Sequence, residues 1–150
     1  MPERLLEQIE SVRAGLWGAM LLTLVEGGLL ALQTGLAHYD IRLFPQSSTA
    51  VAIAVALSSG FLFGIAYRYI VRQDDNPHLR QGAVLAFTGV RWGALLEAHP
   101  QWWSEPEQWP GAIAIGLATV VAFGVTRWGL DRALRQGWLK PLSSAPQSTS

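Results

Sequence analysis

Residues 49–70 read TAVAIAVALSSGFLFGIAYRYI, an apolar run with one charged side chain near its end. A helix needs about 20 mostly apolar residues to cross the hydrocarbon core of a bilayer. Two further runs have the same character: residues 16–36, LWGAMLLTLVEGGLLALQTGL, and residues 111–130, GAIAIGLATVVAFGVTRWGL. The three runs predict transmembrane helices and therefore an all-α, polytopic membrane protein.

The composition agrees with this class. Of the 150 residues, 50% are hydrophobic and 15% are charged, whereas average soluble domains are about 25% charged. The 11 Lys and Arg residues balance the 11 Asp and Glu residues, so no net charge favours nucleic acid as a partner. The chain has no cysteine, which excludes disulfides, thiolate metal sites and a cysteine nucleophile.

A fourth span is predicted over residues 77–98, although the apolar part of this segment is shorter. Asn76 and Pro77 are typical of the N-cap and the first position of a helix, and Pro100 bounds the far end. Such a helix is about 33 Å long and crosses a hydrocarbon core of about 30 Å. In the alternative, the segment is a re-entrant or interfacial helix, and the two termini lie on opposite sides of the membrane.

We therefore expect one four-helix transmembrane domain over residues 1–140, followed by a Pro- and Ser-rich tail, residues 141–150, that is disordered. Residues 3–13 form an amphipathic segment, which is expected to lie in the membrane interface and to continue into the first span. The predicted spans are approximately residues 16–36, 49–70, 77–98 and 111–130.

The basic residues are distributed unequally between the two ends of these spans. With four spans, one side collects nine of them and the other side only Arg42. Because Lys and Arg accumulate on the cytoplasmic side, both termini are predicted to be cytoplasmic. The nine residues are Arg4, Arg13, Arg68, Arg72, Arg80, Arg127, Arg132, Arg135 and Lys140.

Short patterns recur in the two halves of the chain. Residues 63–65 (FGI) resemble residues 123–125 (FGV), and each triplet lies near the inner end of an even-numbered span. Two tandem helical hairpins related by a pseudo-twofold axis would explain the recurrence. Membrane composition alone also favours such residues, so the sequence leaves a duplication open.

Two charged residues fall in the middle of predicted spans, Glu26 in the first and Arg91 in the third. Both spans start on the same side, so the two charges are expected at similar depth. Charges within a membrane are costly and usually paired or functional. An interhelical ion pair is the simplest interpretation. The alternatives are a proton-relay carboxylate and a counter-ion to a bound headgroup or pigment.

Small residues are spaced for close helix packing. Gly60 and Gly64 share one helical face, as do Gly89 and Gly93, and small-xxx-small patterns let helix backbones approach closely. These faces are expected either to pack within the four-helix bundle or to receive another subunit or a flat ligand ring.

The outer loop carries Trp102, Trp103 and Trp109 beside carboxylates. Tryptophans at the headgroup level are typical of an interfacial aromatic belt, whereas exposed aromatics also suit a docking surface. The inner loop contains Asp74, Asp75 and His78, which we interpret as helix capping and charge balance rather than as a metal site.

Residues 68–91, RYIVRQDDNPHLRQGAVLAFTGVR, and the region around Trp17, Gly18 and Glu26 resemble a group of uncharacterised integral membrane proteins of cyanobacteria and plastids. The resemblance implies a cyanobacterial inner or thylakoid membrane, and it implies no activity.

No catalytic, nucleotide-binding or nucleic-acid-binding motif occurs in the chain. We therefore expect a non-enzymatic accessory or assembly subunit of a larger membrane complex, in the context of the resemblance a photosynthetic one, without a cofactor. Its partners would be the lipid bilayer and either another membrane protein or a second copy. The alternatives are a small transporter or channel component that uses the Glu26 and Arg91 pair, and a membrane enzyme or a pigment- or quinone-binding protein.

Overall fold

A computed structural model describes residues 2–37, 49–73 and 76–140, and these residues contain helices and no strand. There are four long helices, and a short helix and a 3₁₀ turn at Pro106–Gln108 connect the third of them to the fourth. The helices are α1 (Pro2–Ala37), α2 (Thr49–Gln73), α3 (Pro77–Ala98), the short α4 (Gln101–Ser104) and α5 (Trp109–Arg135).

The four long helices alternate in direction around a bundle. Helix α1 packs on α2 and α5, and α3 packs on α5 and α2. The start of α1 meets the end of α2, because the Arg68 side chain bonds to the backbone of Glu7. The start of α3 meets the end of α5, where Arg80 lies 3.6 Å from Asp131.

Apolar side chains cover the outside of this bundle and polar groups lie inside it. Buried side chains include Arg68 and Asp131, only 3% and 8% exposed. In the three most apolar helical stretches, just 22%, 22% and 33% of residues are buried. A soluble protein would bury these stretches, so this distribution is that of a membrane protein.

The sequence predicted four membrane spans, but among the described residues only three helical stretches are long and apolar enough to cross a bilayer: Arg4–Gly35, Thr49–Val71 and Pro106–Arg135. Helix α3 forms over the predicted residues 77–98 but does not reach this apolarity. Arg80, Arg91 and Glu97 lie along its 22 residues, and each charge lowers the mean hydropathy of the segment.

The start of α3 confirms the predicted cap. The side chain of Asn76 accepts a hydrogen bond of 3.0 Å from the backbone N–H of His78, and Pro77 occupies the first helical turn. The described residues do not include Asp74, Asp75, the loop at residues 38–48 or the predicted tail at residues 141–150.

Helix α1 is one continuous helix of 36 residues, so the predicted amphipathic segment at residues 3–13 and the first span form a single element. The apolar face of that segment points away from the bundle: Leu5, Leu6 and Ile9 are 61%, 62% and 55% exposed. Polar side chains of the same turns face α2 instead, as Ser11 shows by its bond to Arg68.

Aromatic rings fill the centre of the bundle. The ring of Phe63 is fully buried, and it packs edge-on against Phe87 and Phe123 with centroid distances of 5.2 and 5.1 Å. Tyr67 stacks on Phe63 one turn away at 5.6 Å. The repeated triplets therefore meet through Phe63 and Phe123 at the bundle axis, and the duplication itself stays a prediction.

Helix α5 ends in a tight reversal at Gly137, whose φ of 75° is readily adopted only by glycine. The backbone N–H of Trp138 bonds back to the Ala133 carbonyl at 2.9 Å. The reversal carries Trp138 onto α1, where its ring stacks on Trp17 with a centroid distance of 5.6 Å.

Candidate functional site

Glu26 on α1 and Arg91 on α3 lie side by side in the middle of their helices. Arg91 Nη2 donates to Glu26 Oε2 at 2.6 Å, and Nη1 lies 2.5 Å from Oε1. The two side chains are 20% and 16% exposed. The pair is thus joined by one hydrogen bond and one close contact between opposite charges, because Nη1 is buried and makes no hydrogen bond to the described residues.

Two hydroxyl groups lie one helical turn from this pair, each on the same helix as one of the charges. Thr23 Oγ1 precedes Glu26 on α1, and Thr88 Oγ1 precedes Arg91 on α3. Both oxygens are buried and have no hydrogen-bond partner among the described residues. The arrangement can fix the register of α1 against α3, and it offers two further polar atoms inside the membrane region.

A second polar cluster closes the charged end of the bundle. Tyr67 donates a hydrogen bond of 2.6 Å from its hydroxyl to Asp131 Oδ1. Arg80 lies 3.6 Å from the same oxygen, and Arg127 lies 3.7 Å from Oδ2. One buried aspartate therefore ties together α2, α3 and α5. The sequence analysis missed this role of Asp131, whose only signal was a carboxylate directly after an apolar run and among arginines.

Arg68 joins α1, α2 and the segment after α5. Its Nε donates to the Lys140 carbonyl at 3.0 Å. Its Nη1 donates to the Glu7 carbonyl at 3.0 Å and to Ser11 Oγ at 2.5 Å. The sequence assigned Arg68 only to the positive side of the membrane, because hydrogen bonds to distant backbone carbonyls leave no sequence pattern.

The two predicted glycine faces behave differently. A Cβ atom on Gly60 would lie 2.5 Å from the Gly18 carbonyl oxygen, and one on Gly64 would lie 3.1 Å from the Gly15 Cα. These glycines therefore bring α2 against α1. Among the described residues, no atom would lie within 4 Å of a Cβ on Gly89 or Gly93, so no described helix packs closely on this pair, and its role stays a prediction.

Trp102 is only 6% exposed and packs on Ala112 and Ile115, because the α4 turn folds it under the start of α5. Its place in an interfacial belt stays a prediction. Trp109 is 49% exposed at the first residue of α5. The side chain of Trp103 lies outside the described residues.

Metal ligation has no support among the residues that the structure describes, which contain no group of three His, Cys, Asp or Glu side chains placed to hold an ion. His78 is exposed at the start of α3. His99 stacks on the Trp102 ring at 4.6 Å.

No protein-family model, curated protein or solved structure matches the chain.

Proposed function

We propose that this protein is a non-enzymatic subunit of a larger membrane complex, embedded as four helices, with α3 as the helix that receives the partner. The observation that carries the proposal is the outward face of α3. Gly89 and Gly93 are exposed there, and none of the described residues has an atom within 4 Å of a Cβ built on either of them.

This face has the form that membrane helices use for association. Gly82, Ala86, Gly89 and Gly93 follow one another at spacings of four, three and four residues and are all exposed. Helices associate in lipid chiefly through close packing, which small residues permit. The opposite side of α3 already packs on the bundle through Ala83, Val84 and Thr88, so a partner on the glycine side would not compete with the fold.

Helix α3 supports a membrane position through its neighbours. Its Arg91 pairs with Glu26 in the middle of α1, and its Trp92 donates to the Ala112 carbonyl near the start of α5. These two contacts support a membrane-spanning position for α3 beside the two apolar helices, and the pairing offsets the cost of the charge that lowers its hydropathy. The cyanobacterial or thylakoid membrane is proposed on the sequence resemblance alone.

A transporter or channel component is the second candidate. It is favoured by the intramembrane Glu26 and by the hydroxyls of Thr23 and Thr88, buried without a partner among the described residues. The accessory role ranks first because the Glu26 carboxylate is already engaged through both oxygens by Arg91, and a carrier group must exchange its partner.

Replacing Gly89 and Gly93 by isoleucine tests the partner face. We expect the doubly substituted protein to accumulate and fold as before, because each new Cβ has open space around it. We also expect it to dissociate from the complex. Native gels and mass spectrometry after gentle solubilisation measure this. Gly28→Ile on α1, where a Cβ also meets nothing, is the matched control and should stay in the complex. Retention of the Gly89 and Gly93 variant would refute the partner face.

The proposed topology places both termini on the cytoplasmic side. At one end of the bundle Arg68 bonds to the Glu7 and Lys140 carbonyls, and Arg80 and Arg127 lie beside Asp131. This gathering of basic residues supports a cytoplasmic position for that end. Reporter fusions after Ser150 and within the outer loop at Trp103 should give opposite signals. Equal signals would remove α3 as a span.

A further inference from the structure

A groove between α3 and α5 opens toward the lipid side of the charged end of the bundle. It encloses a volume of about 560 Å³. Its walls are apolar over most of their length, with Val84 and Leu85 on α3 and Val120 and Trp128 on α5. At one end it reaches Arg127, Asp131 and Arg135. The groove therefore has an apolar body and a charged mouth.

The mouth carries an excess of positive charge. Among the described residues that line the groove, Asp131 is the one acidic residue, and its carboxylate already accepts a hydrogen bond from Tyr67 and lies near Arg80 and Arg127. Arg135 on the next turn of α5 is exposed. It also lines a second, smaller cavity of about 220 Å³ together with Arg132 and Trp128. An anion at this mouth thus meets Arg135 beyond the arginines that balance Asp131, and Arg132 lines the adjoining cavity, which shares Trp128 and Arg135 with the groove.

The geometry points to a binding site for an anionic phospholipid of the surrounding bilayer. Its phosphate would lie among Arg127, Arg132 and Arg135, and one acyl chain would lie along the apolar walls. Val120 lies about 10 Å along the helix axis from Arg127, at 1.5 Å per residue, so the apolar part extends from the headgroup level into the hydrocarbon region. Trp128, 61% exposed at the mouth, is placed where tryptophan rings meet lipid headgroups.

Gly124 forms part of the groove lining and makes its width possible. A Cβ at this position would meet no atom within 4 Å, so a larger side chain can enter the groove without displacing the helices. The inference rests on the membrane position in the proposed function but not on the partner face of α3. Gly89 and Gly93 do not line the groove, although Leu85, which lines it, lies one turn before Gly89.

The test measures lipid bound to the full-length protein by native mass spectrometry, after reconstitution into nanodiscs of equal parts phosphatidylglycerol and phosphatidylcholine. We expect bound phosphatidylglycerol to exceed phosphatidylcholine on the unmodified protein. Gly124→Leu should abolish that preference by filling the groove. Arg135→Gln should weaken phosphatidylglycerol binding about fivefold, the effect of one basic residue near an anionic membrane.

Two matched controls accompany these variants. Gly111→Leu places the same side chain in open space on the same helix, about 20 Å from Gly124 along the axis. Arg13→Gln removes an arginine with 52% exposure at the same end of the bundle but outside the groove. Both should bind phosphatidylglycerol as the unmodified protein does.

Three results would overturn the inference: equal binding of both lipids, a normal preference in folded Gly124→Leu, or an equal loss in the controls. If Gly124→Leu does not fold, Arg135→Gln still tests the site, because the Arg135 side chain is exposed and its replacement should not disturb the fold. Unchanged lipid binding by Arg135→Gln would then refute the site. The Gly89 and Gly93 variant should keep its lipid, so failure of the lipid site and failure of the partner face are distinguishable.

Discussion

Replacing Gly64 by alanine is expected to separate α1 from α2 and to destabilise the protein by about 3 kcal/mol, the upper range for overpacking a close contact. The added methyl group would collide with the Ala14 carbonyl group, which belongs to the backbone of α1 and cannot rotate away. Gly18→Ala should act in the same way, because its Cβ would lie 2.9 Å from the Gly64 Cα. Reversible unfolding in mixed micelles measures the loss.

Gly111→Ala and Gly124→Ala are the controls for this prediction. Both positions lie in α5, and a Cβ at either one meets no atom within 4 Å. Alanine there should leave the free energy of unfolding unchanged or raise it by about 0.5–1 kcal/mol, since alanine restricts the unfolded backbone more than glycine does. If Gly64→Ala proved as stable as these controls, α1 and α2 would not be in the close contact described.

The second large effect is expected at the ion pair of Glu26 and Arg91. Removing one partner of a fully buried pair costs about 3–5 kcal/mol. The remaining exposure of 20% and 16% reduces this figure, so Glu26→Gln and Arg91→Leu should each cost about 2 kcal/mol. The double variant should recover part of the loss, because neither charge is then left alone in a medium of low dielectric constant.

The surface pair of Glu10 and Arg13 provides the comparison. Its charged atoms also lie 2.8 Å apart, but the Arg13 side chain is 52% exposed, and exposed pairs contribute about 0–1 kcal/mol. Arg13→Gln should therefore change the unfolding free energy little. Strictly additive losses for Glu26→Gln and Arg91→Leu in the double variant would argue against a direct interaction between the two side chains.

The positions of the helices could be predicted from the sequence, because they depend on local residue patterns. Runs of about 20 apolar residues predict α1, α2 and α5, and Asn76 with Pro77 predicts the start of α3. The similar depth of Glu26 and Arg91 followed from counting residues from Arg13 and Arg80, the basic residues at which the two spans begin, since every residue adds the same rise. The approach of their side chains needed the bundle, because equal depth does not decide which helices are neighbours.

The direction in which each side chain points was decided by tertiary structure. Gly60 and Gly89 begin the same small-residue spacing, yet the first faces α1 and the second faces outward. Likewise, Trp102 lies in a stretch with the composition of an aromatic belt, but a turn folds it inward. No periodic pattern in the sequence predicts that turn.

By itself, the amino-acid sequence determined that the chain forms long apolar helices and that its basic residues gather at one end, since hydropathy and charge are properties of each residue. Only the tertiary structure decided that Asp131 is enclosed by Tyr67, Arg80 and Arg127 and that Arg68 holds the start of α1. Arg127 lies one helical turn before Asp131, but Tyr67 and Asp131 are 64 positions apart and Arg68 and Glu7 are 61 apart. A helix presents polar groups on several sides, and only the packing of its neighbours selects which of them are buried together.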